Sequence, residues 1–338
     1  MTDSRLTDPN RKPGESAEVS LRPQHLYDFI GQEEIKSNLR VFIDAAKGRG
    51  EVLDHVLLYG PPGLGKTTLA GIIANEMELD VRHSSGPAFQ NSAELVGLLT
   101  QQEGPGVVFI DEIHRLNRIV EEYLYPAMED LRIEIVVDSG PNARHFQLDL
   151  EPFTLIGATT RAGMLTGALR SRFGIICHLD FYPADELKLI VQRSAQILGV
   201  NLTEDGALEI SRRSRGTPRA ANRLLRRVRD FAQVENSDKV DAAVADRALN
   251  KLGVDKLGLE PLDRRYLKLI VEHFGGGPVG IQNLAVSLGE ELDTLEDVIE
   301  PFLIQSGLMK RTSRGREITS GGLKHLGFVI PDSQGEIS

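Results

Sequence analysis

The chain has 338 residues, of which 41% are hydrophobic and 26% charged, so it is long enough for two or three domains with separate cores. No apolar run approaches the ~18 residues of a membrane-spanning helix, so we predict no membrane span. The formal net charge of −10 argues against nucleic-acid binding over the whole surface, but it allows a local basic patch.

The amino-terminal segment and the cysteine usage both point to a cytoplasmic protein. Residues 1–20 are polar and lack the apolar stretch of a secretory signal peptide, so we expect a disordered tail there. The single cysteine, Cys177, cannot form an intrachain disulfide and has no companions for a zinc site. We expect it to pack as a small hydrophobic residue.

From about residue 21 to 182, short β-rich apolar runs alternate with helical stretches. The clearest strands are predicted at His55–Tyr59, Val107–Ile110 and Phe153–Gly157. This alternation is typical of a parallel sheet with helices on both faces. From residue 183 to about 254 the pattern is helical throughout, which predicts a small helical domain.

Residues 255–338 form the third predicted domain. Helices are predicted around Tyr266–Ile270, around Ile281–Ala285 and near Asp297–Gln305, and a β-hairpin follows within residues 307–319. Three helices followed by a hairpin are typical of a winged helix. The predicted fold is therefore α/β: a parallel-sheet domain, a small helical domain and a carboxyl-terminal winged helix.

The clearest motif is Gly60–Thr67, which reads Gly-Pro-Pro-Gly-Leu-Gly-Lys-Thr and matches G-x-x-x-x-G-K-[ST] at each fixed position. It lies between an apolar strand and the helical run Thr68–Met77. Glycines let backbone N–H groups turn toward phosphate oxygens at the positive end of a helix. Lys66 can then reach the terminal phosphates, and Thr67 can bind magnesium. A glycine-rich turn that binds nothing is the alternative, and the strand and helix context disfavours it.

Two carboxylates, Asp111 and Glu112, follow the predicted strand Val107–Ile110. They would lie at the carboxyl edge of the sheet, where ligands bind in such folds. Asp111 suits magnesium, and Glu112 is placed to polarise a water for attack on the γ-phosphorus. Two acids at a helix N-terminus are the alternative. Together with the phosphate loop, the pattern favours ATP hydrolysis over binding alone.

Two later polar groups allow more than one interpretation. The segment Ala158–Arg161 follows the third strand and is a candidate sensor of the γ-phosphate, although a Thr-Thr pair also commonly ends a strand or caps a helix. Arg170 and Arg172 could form a solvated face, or one of them could reach a phosphate across a subunit boundary. The spacing of the two arginines leaves both interpretations open.

Two segments are strongly basic. Residues 212–229 carry eight arginines, which we predict on several sides of one helix. We therefore favour nucleotide sensing, interdomain ion pairs and solvated surface over a DNA-binding face. The segment Lys310–Arg316 is the stronger DNA candidate, because a hairpin tip with four cations can approach a phosphate backbone closely. It contains no aromatic residue, so we expect backbone contact without sequence readout, and a solvated hairpin is the alternative.

A further β-hairpin is predicted over about residues 132–150. Its strands would be Arg132–Val137 and Arg144–Leu150, joined by a turn over residues 138–142. Apolar and polar residues alternate along both strands. An ordinary strand pair packed on the core would explain this pattern equally well.

Together these motifs resemble the RuvB family of AAA+ ATPases. The resemblance covers about residues 21–330 and is carried by an ordered series of strings at residues 57–70, 109–118, 121–130, 155–163, 215–230 and 311–316. It implies a homo-hexameric motor that uses ATP and Mg²⁺ to drive Holliday junction branch migration in recombination and DNA repair, with RuvA-like and RuvC-like partners. A clamp-loader-like or initiator AAA+ switch on DNA shares the same motif chemistry and is the alternative.

The resemblance also implies roles for particular residues. Thr159 would sense the γ-phosphate, Arg172 would act as an arginine finger on the neighbouring subunit's ATP, and Arg219 would be a second sensor. Arg311 and Arg316 would contact DNA, and the hairpin at 132–150 would dock the RuvA-like partner. The implied nucleotide contacts are Leu21, Arg22, Gly60, Gly63, Gly65, Lys66, Thr67, Thr68, Glu129, Asp130, Leu131, Tyr182 and Arg219.

One segment departs from the family pattern. Residues 89–94 read Phe-Gln-Asn-Ser-Ala-Glu, where family members commonly carry Lys-Pro-Gly-Asp. The departure touches no predicted catalytic position, so it puts only a local loop conformation in doubt.

Overall fold

The fold is that of a computed structural model, which describes residues 21–137 and 144–328. The chain divides into two compact units between Phe181 and Tyr182. No helix in the two described ranges is long and apolar enough to cross a membrane. The predicted amino-terminal tail lies outside the described residues.

The first unit is built on a parallel sheet of five strands in the order β2-β3-β6-β1-β7. Strands β1, β3 and β6 are buried along nearly their whole length, as expected where helices cover both faces of a sheet. The sheet strands are β1 (Val56–Tyr59), β2 (Val81–Ser85), β3 (Gly106–Asp111), β6 (Phe153–Thr159) and β7 (Ile175–His178). The prediction of a parallel-sheet domain is confirmed.

Three helices of the first unit begin at a side chain that caps them. Asn91 and Glu94 form a capping box at the start of α3, within the segment that departs from the family pattern. Asn117 accepts from the Val120 N–H at the start of α4, and Thr166 caps α5. The helices are α1 (Glu33–Arg49), α2 (Lys66–Met77), α3 (Ser92–Thr100), α4 (Arg118–Asp130) and α5 (Gly167–Arg170), with short 3-10 turns at Leu26–Asp28, Gly86–Ala88, Ile113–Arg115 and Ala162–Met164.

The remaining two strands of the first unit form a hairpin of their own. β4 (Arg132–Val137) pairs antiparallel with β5 (Arg144–Asp149), from Arg132 opposite Asp149 to Val137 opposite Arg144. Ile133 is fully buried, whereas the Phe146 side chain is half-exposed. The predicted turn over residues 138–142 lies outside the described residues.

The second unit begins with four helices and continues into a winged helix, as predicted. Leu259, Tyr266, Leu284 and Leu303 are among the fully buried residues of the winged-helix core. The elements are α6 (Ala184–Ile197), α7 (Glu204–Arg212), α8 (Pro218–Val234), α9 (Ala242–Lys251), α10 (Pro261–Phe274), α11 (Ile281–Leu288), α12 (Leu292–Thr294), a π-helix (Leu295–Ile299), α13 (Glu300–Gln305), β8 (Met309–Thr312), β9 (Gly315–Ile318) and α14 (Ser320–His325).

Two predictions for the second unit are wrong in detail. The basic stretch is not one helix, because Arg215 and Gly216 have left-handed φ angles of 55° and 69° and Pro218 starts a new helix. The cations of the carboxyl-terminal hairpin are also not gathered at its tip. Thr312 pairs with Gly315 around a two-residue turn, so only Arg314 lies in the turn, and the other three cations lie on the strands.

Candidate functional site

The glycine-rich loop connects β1, which lies between β6 and β7 in the sheet, to α2. The Gly60 N–H donates to the Thr159 carbonyl at 3.2 Å, and a Cβ atom on Gly60 would lie 2.3 Å from the Leu179 carbonyl oxygen. Gly65, with φ at 102°, forms the N-cap of α2. Only glycine fits both positions without strain, so the loop is fixed by its own sequence and by the two strands beside it.

Lys66 lies inside this loop. Its side chain is buried, and its Nζ donates to the Gly60 carbonyl at 2.7 Å and to the Pro61 carbonyl at 2.9 Å. Thr67 and Thr68 follow in the first turn of α2, where helix N–H groups favour an anion. The structure therefore brings the ammonium, the glycine turn and the helix N-terminus together, as a triphosphate site requires.

The acidic edge, which consists of Asp111 and Glu112 at the end of β3, lies two strands away from β1. β3 ends at Asp111 and is adjacent to β6, with Ile110 opposite Gly157. The Asp111 carboxylate accepts the Glu112 N–H at 2.9 Å. Glu112 has a left-handed φ of 48°, a conformation that is uncommon for glutamate and concentrates at functional sites.

His114 links this edge to the end of β6, and no role was predicted for it from the sequence. Its Nδ1 lies 2.8 Å from the Thr159 Oγ1 and 3.3 Å from a carboxylate oxygen of Glu112. The His114 side chain is only 5% exposed, and Thr159 is fully buried. The available signal was a histidine two residues after the catalytic candidate, in the short helical turn that follows the strand.

Thr159 is both a strand end and a candidate sensor. It is the last residue of β6, and its Oγ1 accepts the Arg161 N–H at 2.9 Å. The same oxygen contacts His114, so the local turn and the link to Glu112 share one hydroxyl. The two interpretations left open by the sequence are therefore compatible.

The two arginines at the end of α5, Arg170 and Arg172, have different surroundings. Arg170 is exposed, whereas the Arg172 side chain is 19% exposed. The Arg172 guanidinium lies 4.2 Å from the Tyr125 ring centroid, 3.1 Å from the Glu129 carboxylate and 2.6 Å from the Ala168 carbonyl. The structure thus places Arg172 and Glu129 in one cluster. The neighbouring Asp130 and Leu131 end α4, with Leu131 at a left-handed φ of 53°.

The other predicted nucleotide contacts are divided between the units. In the first unit Leu21 is buried and Arg22 is exposed. In the second unit Tyr182 is buried and its N–H donates to the Gly216 carbonyl at 2.9 Å, while Arg219 is exposed at the start of α8. Cys177, in β7, is buried as predicted, and burial raises the pKa of its thiol to about 11.

Arginines of the basic stretch form ion pairs within the second unit. Arg213 is buried and pairs with Glu209 and Asp246. Arg215 lies 3.2 Å from Asp263, a fully buried carboxylate whose burial raises its pKa to about 6. These contacts support the prediction of ion pairs over that of a DNA-binding face.

Arg311 and Arg316 occupy opposite positions on the two strands of the wing. Both guanidinium groups contact the carboxylate of Glu300. Lys310 pairs with Glu317 at 3.0 Å, and Arg314 is exposed in the turn.

These features define a class. A phosphate loop after an interior strand of the sheet, an acidic pair after the strand two positions away and a helical bundle after the sheet are the parts of an AAA+ P-loop ATPase. Family models agree along nearly the whole described chain: the Holliday junction DNA helicase RuvB P-loop domain matches residues 21–179, the RuvB AAA lid domain residues 182–255, and the RuvB C-terminal winged helix domain residues 256–327. The chain belongs to the RuvB family.

Individual relatives are similar over nearly their full length. The chain is 56% identical to the Holliday junction branch migration complex subunit RuvB of Paramagnetospirillum magneticum, covering 97% of this chain and 94% of the relative. It is 57% identical to the protein of that name from Gluconobacter oxydans, covering 98% and 95%. The solved structure of the Thermotoga maritima RuvB Holliday junction branch migration motor is similar with a TM-score of 0.85 and 50% identity, covering 92% of this chain and 99% of that one.

Proposed function

We propose that this protein hydrolyses ATP to drive branch migration of Holliday junctions during recombination and DNA repair. The observation that carries the proposal is the combination, in one chain, of a formed phosphate loop with an acidic edge and a winged helix. The relatives' names, a branch migration complex subunit and a branch migration motor, support it.

ATP would bind with its phosphates in the Gly60–Thr67 loop. Lys66, which donates to two loop carbonyls, can redirect its ammonium to the terminal phosphates without leaving the loop. The Thr67 hydroxyl and the Asp111 carboxylate are oxygen ligands of the kind that Mg²⁺ prefers, and they would hold that ion. When bound, Mg²⁺ would neutralise charge on the phosphate oxygens.

Glu112 would orient the water that attacks the γ-phosphorus. The contacts of His114 support a further role, because one nitrogen of this ring lies close to both Glu112 and Thr159. A γ-phosphate that contacts the Thr159 hydroxyl would thus alter the contact between His114 and Glu112. Arg172 would act on the neighbouring subunit's ATP, and the nucleotide contacts of Tyr182 and Arg219 stay predictions of the resemblance.

We propose further that the chain works as a homo-hexameric ring in the cytoplasm with RuvA-like and RuvC-like partners. An arginine finger supplied by a neighbour makes hydrolysis depend on assembly. The β4–β5 hairpin is the candidate docking element for the RuvA-like protein, because it forms a separate sheet and its Phe146 side chain is 48% exposed.

The wing would contact the DNA backbone through Arg311 and Arg316. The Met309–Ile318 segment contains no aromatic side chain to stack on bases, so contact with phosphates is expected. Such contact is independent of base sequence, as a motor on arbitrary duplex DNA requires.

The test is strand separation of a synthetic four-way junction by the purified protein with ATP and magnesium, with and without a RuvA-like partner. We expect ATP-dependent conversion into two duplexes, stimulated by the partner and lost in Glu112→Gln. ATP hydrolysis that leaves the junction intact in the presence of the partner would contradict the motor and would favour a loader-like switch.

A further inference from the structure

Both arginines of the wing converge on one buried carboxylate. Glu300 is fully buried and accepts a hydrogen bond from the Tyr266 hydroxyl at 2.5 Å and another from the Arg316 Nε at 2.9 Å. Arg311 donates to the same carboxylate through Nε and also forms an ion pair with it through Nη2. Arg316 reaches a second carboxylate, that of Glu296, at 2.9 Å.

The helix that carries these two carboxylates is irregular where they lie. Residues Leu295–Ile299 form a π-helix, and Pro301 follows in the first turn of α13. Proline has no N–H to donate to the preceding turn, and its ring crowds the carbonyl four residues earlier, which the wider π turn accommodates. π turns are rare and frequently occur at functional sites. Here the π-helix supplies Glu296, and Glu300 follows it directly as the first residue of α13.

The contacts leave one edge of each guanidinium available. Arg311 and Arg316 contact the carboxylates through Nε and Nη2, and neither Nη1 group makes a hydrogen bond within residues 21–137 and 144–328. The Arg311 side chain is 44% exposed and that of Arg316 15% exposed. Because a guanidinium is planar and rigid, a carboxylate that fixes one edge also fixes the direction of the opposite edge.

We propose that Glu300 is a positioning residue for DNA binding, which holds Arg311 and Arg316 so that their Nη1 edges contact a phosphate of the duplex backbone. This inference rests on the proposed DNA-binding function of the wing. By charge alone, the Glu300 carboxylate would repel a DNA phosphate bound nearby. Its contacts with both arginines would therefore favour DNA binding only by orienting their guanidinium groups.

The decisive test is the sign of the effect of Glu300→Gln on affinity for duplex DNA. If only charge mattered, removal of a negative charge would tighten binding. If Glu300 positions the arginines, binding weakens, and we expect a loss of about 10-fold or more, typical of a lost charge-assisted hydrogen bond. Glutamine has the same shape and can still accept from the Tyr266 hydroxyl. Glu317→Gln, whose carboxylate pairs with Lys310 on the same hairpin, is the matched control and should not weaken binding.

Charge-preserving variants test the same idea from the other side. Arg311→Lys and Arg316→Lys keep the cation but cannot donate to Glu300 and to a phosphate from two fixed edges. We expect each to weaken DNA binding, and lysine variants that bind as tightly as the unaltered protein would contradict the positioning role. Thermal unfolding of each variant checks the fold, and Arg311→Lys keeps the test decisive if Glu300→Gln does not fold.

The double variant Arg311→Ala/Arg316→Ala separates the two proposals. It should weaken DNA binding and lower the slope of log Kd against log salt concentration by about two, one for each lost phosphate contact. Adding Glu300→Gln to this double variant should have no further effect on DNA binding. If the double variant binds DNA normally with an unchanged salt slope, the wing is not the DNA site and both proposals fail. If it weakens binding while Glu300→Gln binds equally or more tightly, only the positioning role is overturned.

Discussion

The phosphate loop and the wing, which we propose both bind phosphate, are built in different ways. In the loop, the binding surface is backbone shaped by Gly60 and Gly65, and Lys66 is satisfied by carbonyls of the loop itself. On the wing, the binding groups are long side chains whose direction is set by Glu300, a buried residue of another element. A backbone cradle suits one defined triphosphate, whereas anchored cations suit the repeated phosphates of a duplex.

The largest expected effect on ATP turnover comes from Arg172, a side chain that we propose acts on the phosphates bound in the loop. Arg172→Ala should leave ATP binding intact and lower turnover by roughly 10³–10⁵-fold, because the arginine meets charge that develops during phosphoryl transfer. Turnover and nucleotide affinity are measured separately. Near-normal turnover by the purified variant would remove Arg172 from the mechanism.

Mixing two inactive variants tests whether Arg172 acts on a neighbour. Arg172→Ala subunits keep a complete phosphate loop, and Glu112→Gln subunits keep the arginine. If the arginine acts between subunits, a mixture should recover part of the turnover that each variant lacks alone. A mixture as inactive as its components would indicate action within one subunit.

The next effect concerns the backbone of the loop. Gly60→Ala puts a Cβ atom 2.3 Å from the Leu179 carbonyl oxygen, at a φ of 141° that only glycine adopts readily. We expect a cost of at least ~3 kcal/mol, seen as lost ATP binding or a lower melting temperature. Gly71→Ala, in α2 with no atom within 4 Å of the added Cβ, is the control and should stabilise by about 0.5–1 kcal/mol. Equal effects of the two substitutions would contradict the account of the loop.

The same contrast explains what the sequence could predict. The phosphate loop, Asp111 and Glu112 are contiguous with the strands that place them, so spacing alone located them. The strand Val81–Ser85 was missed because it carries mostly polar residues, and Ile175–His178 is an edge strand that is buried only at alternate positions. The basic stretch was predicted as one helix because only its arginines were considered, although Gly216, Thr217 and Pro218 are residue types that end one helix and begin the next.

The anchors of the wing were beyond sequence reasoning. The cations of the hairpin were visible, but Glu300 lies 11 residues before Arg311 and 16 before Arg316, on a different element. No periodicity connects residues whose contact depends on tertiary folding. His114 was missed for a related reason, because its importance comes from Thr159, which is 45 residues away in the chain.

A smaller effect should appear at Asp263, a second buried carboxylate that pairs with an arginine. Burial raises its pKa from 3.8 to about 6, so between about pH 4 and 6 the folded state holds a proton that the unfolded state has released. The free energy of unfolding should therefore fall as pH rises through this range, by at most ~3 kcal/mol. Asp263→Asn should lack this contribution in denaturant titrations at pH 4, 5, 6 and 7. Parallel pH profiles for the two proteins would show that Asp263 ionises normally.

The smallest expected effect on activity is at His114. Like Glu300 in the wing, His114 is one side chain that contacts two functional residues. His114→Phe removes the ring nitrogen that lies beside both Glu112 and Thr159 but keeps a planar ring in a nearly buried position. Glu112 and Thr159 both remain in the variant, so nucleotide affinity should be unchanged. Without the contact to His114, however, Glu112 should be less well oriented, and kcat should fall about 10-fold. His114→Asn, which retains polar atoms near the position of Nδ1, should recover part of this loss. The two variants are compared by kcat, KM and nucleotide Kd at saturating magnesium. A higher KM with unchanged kcat would show that His114 supports nucleotide binding and has no part in coupling the sensor to the catalytic carboxylate.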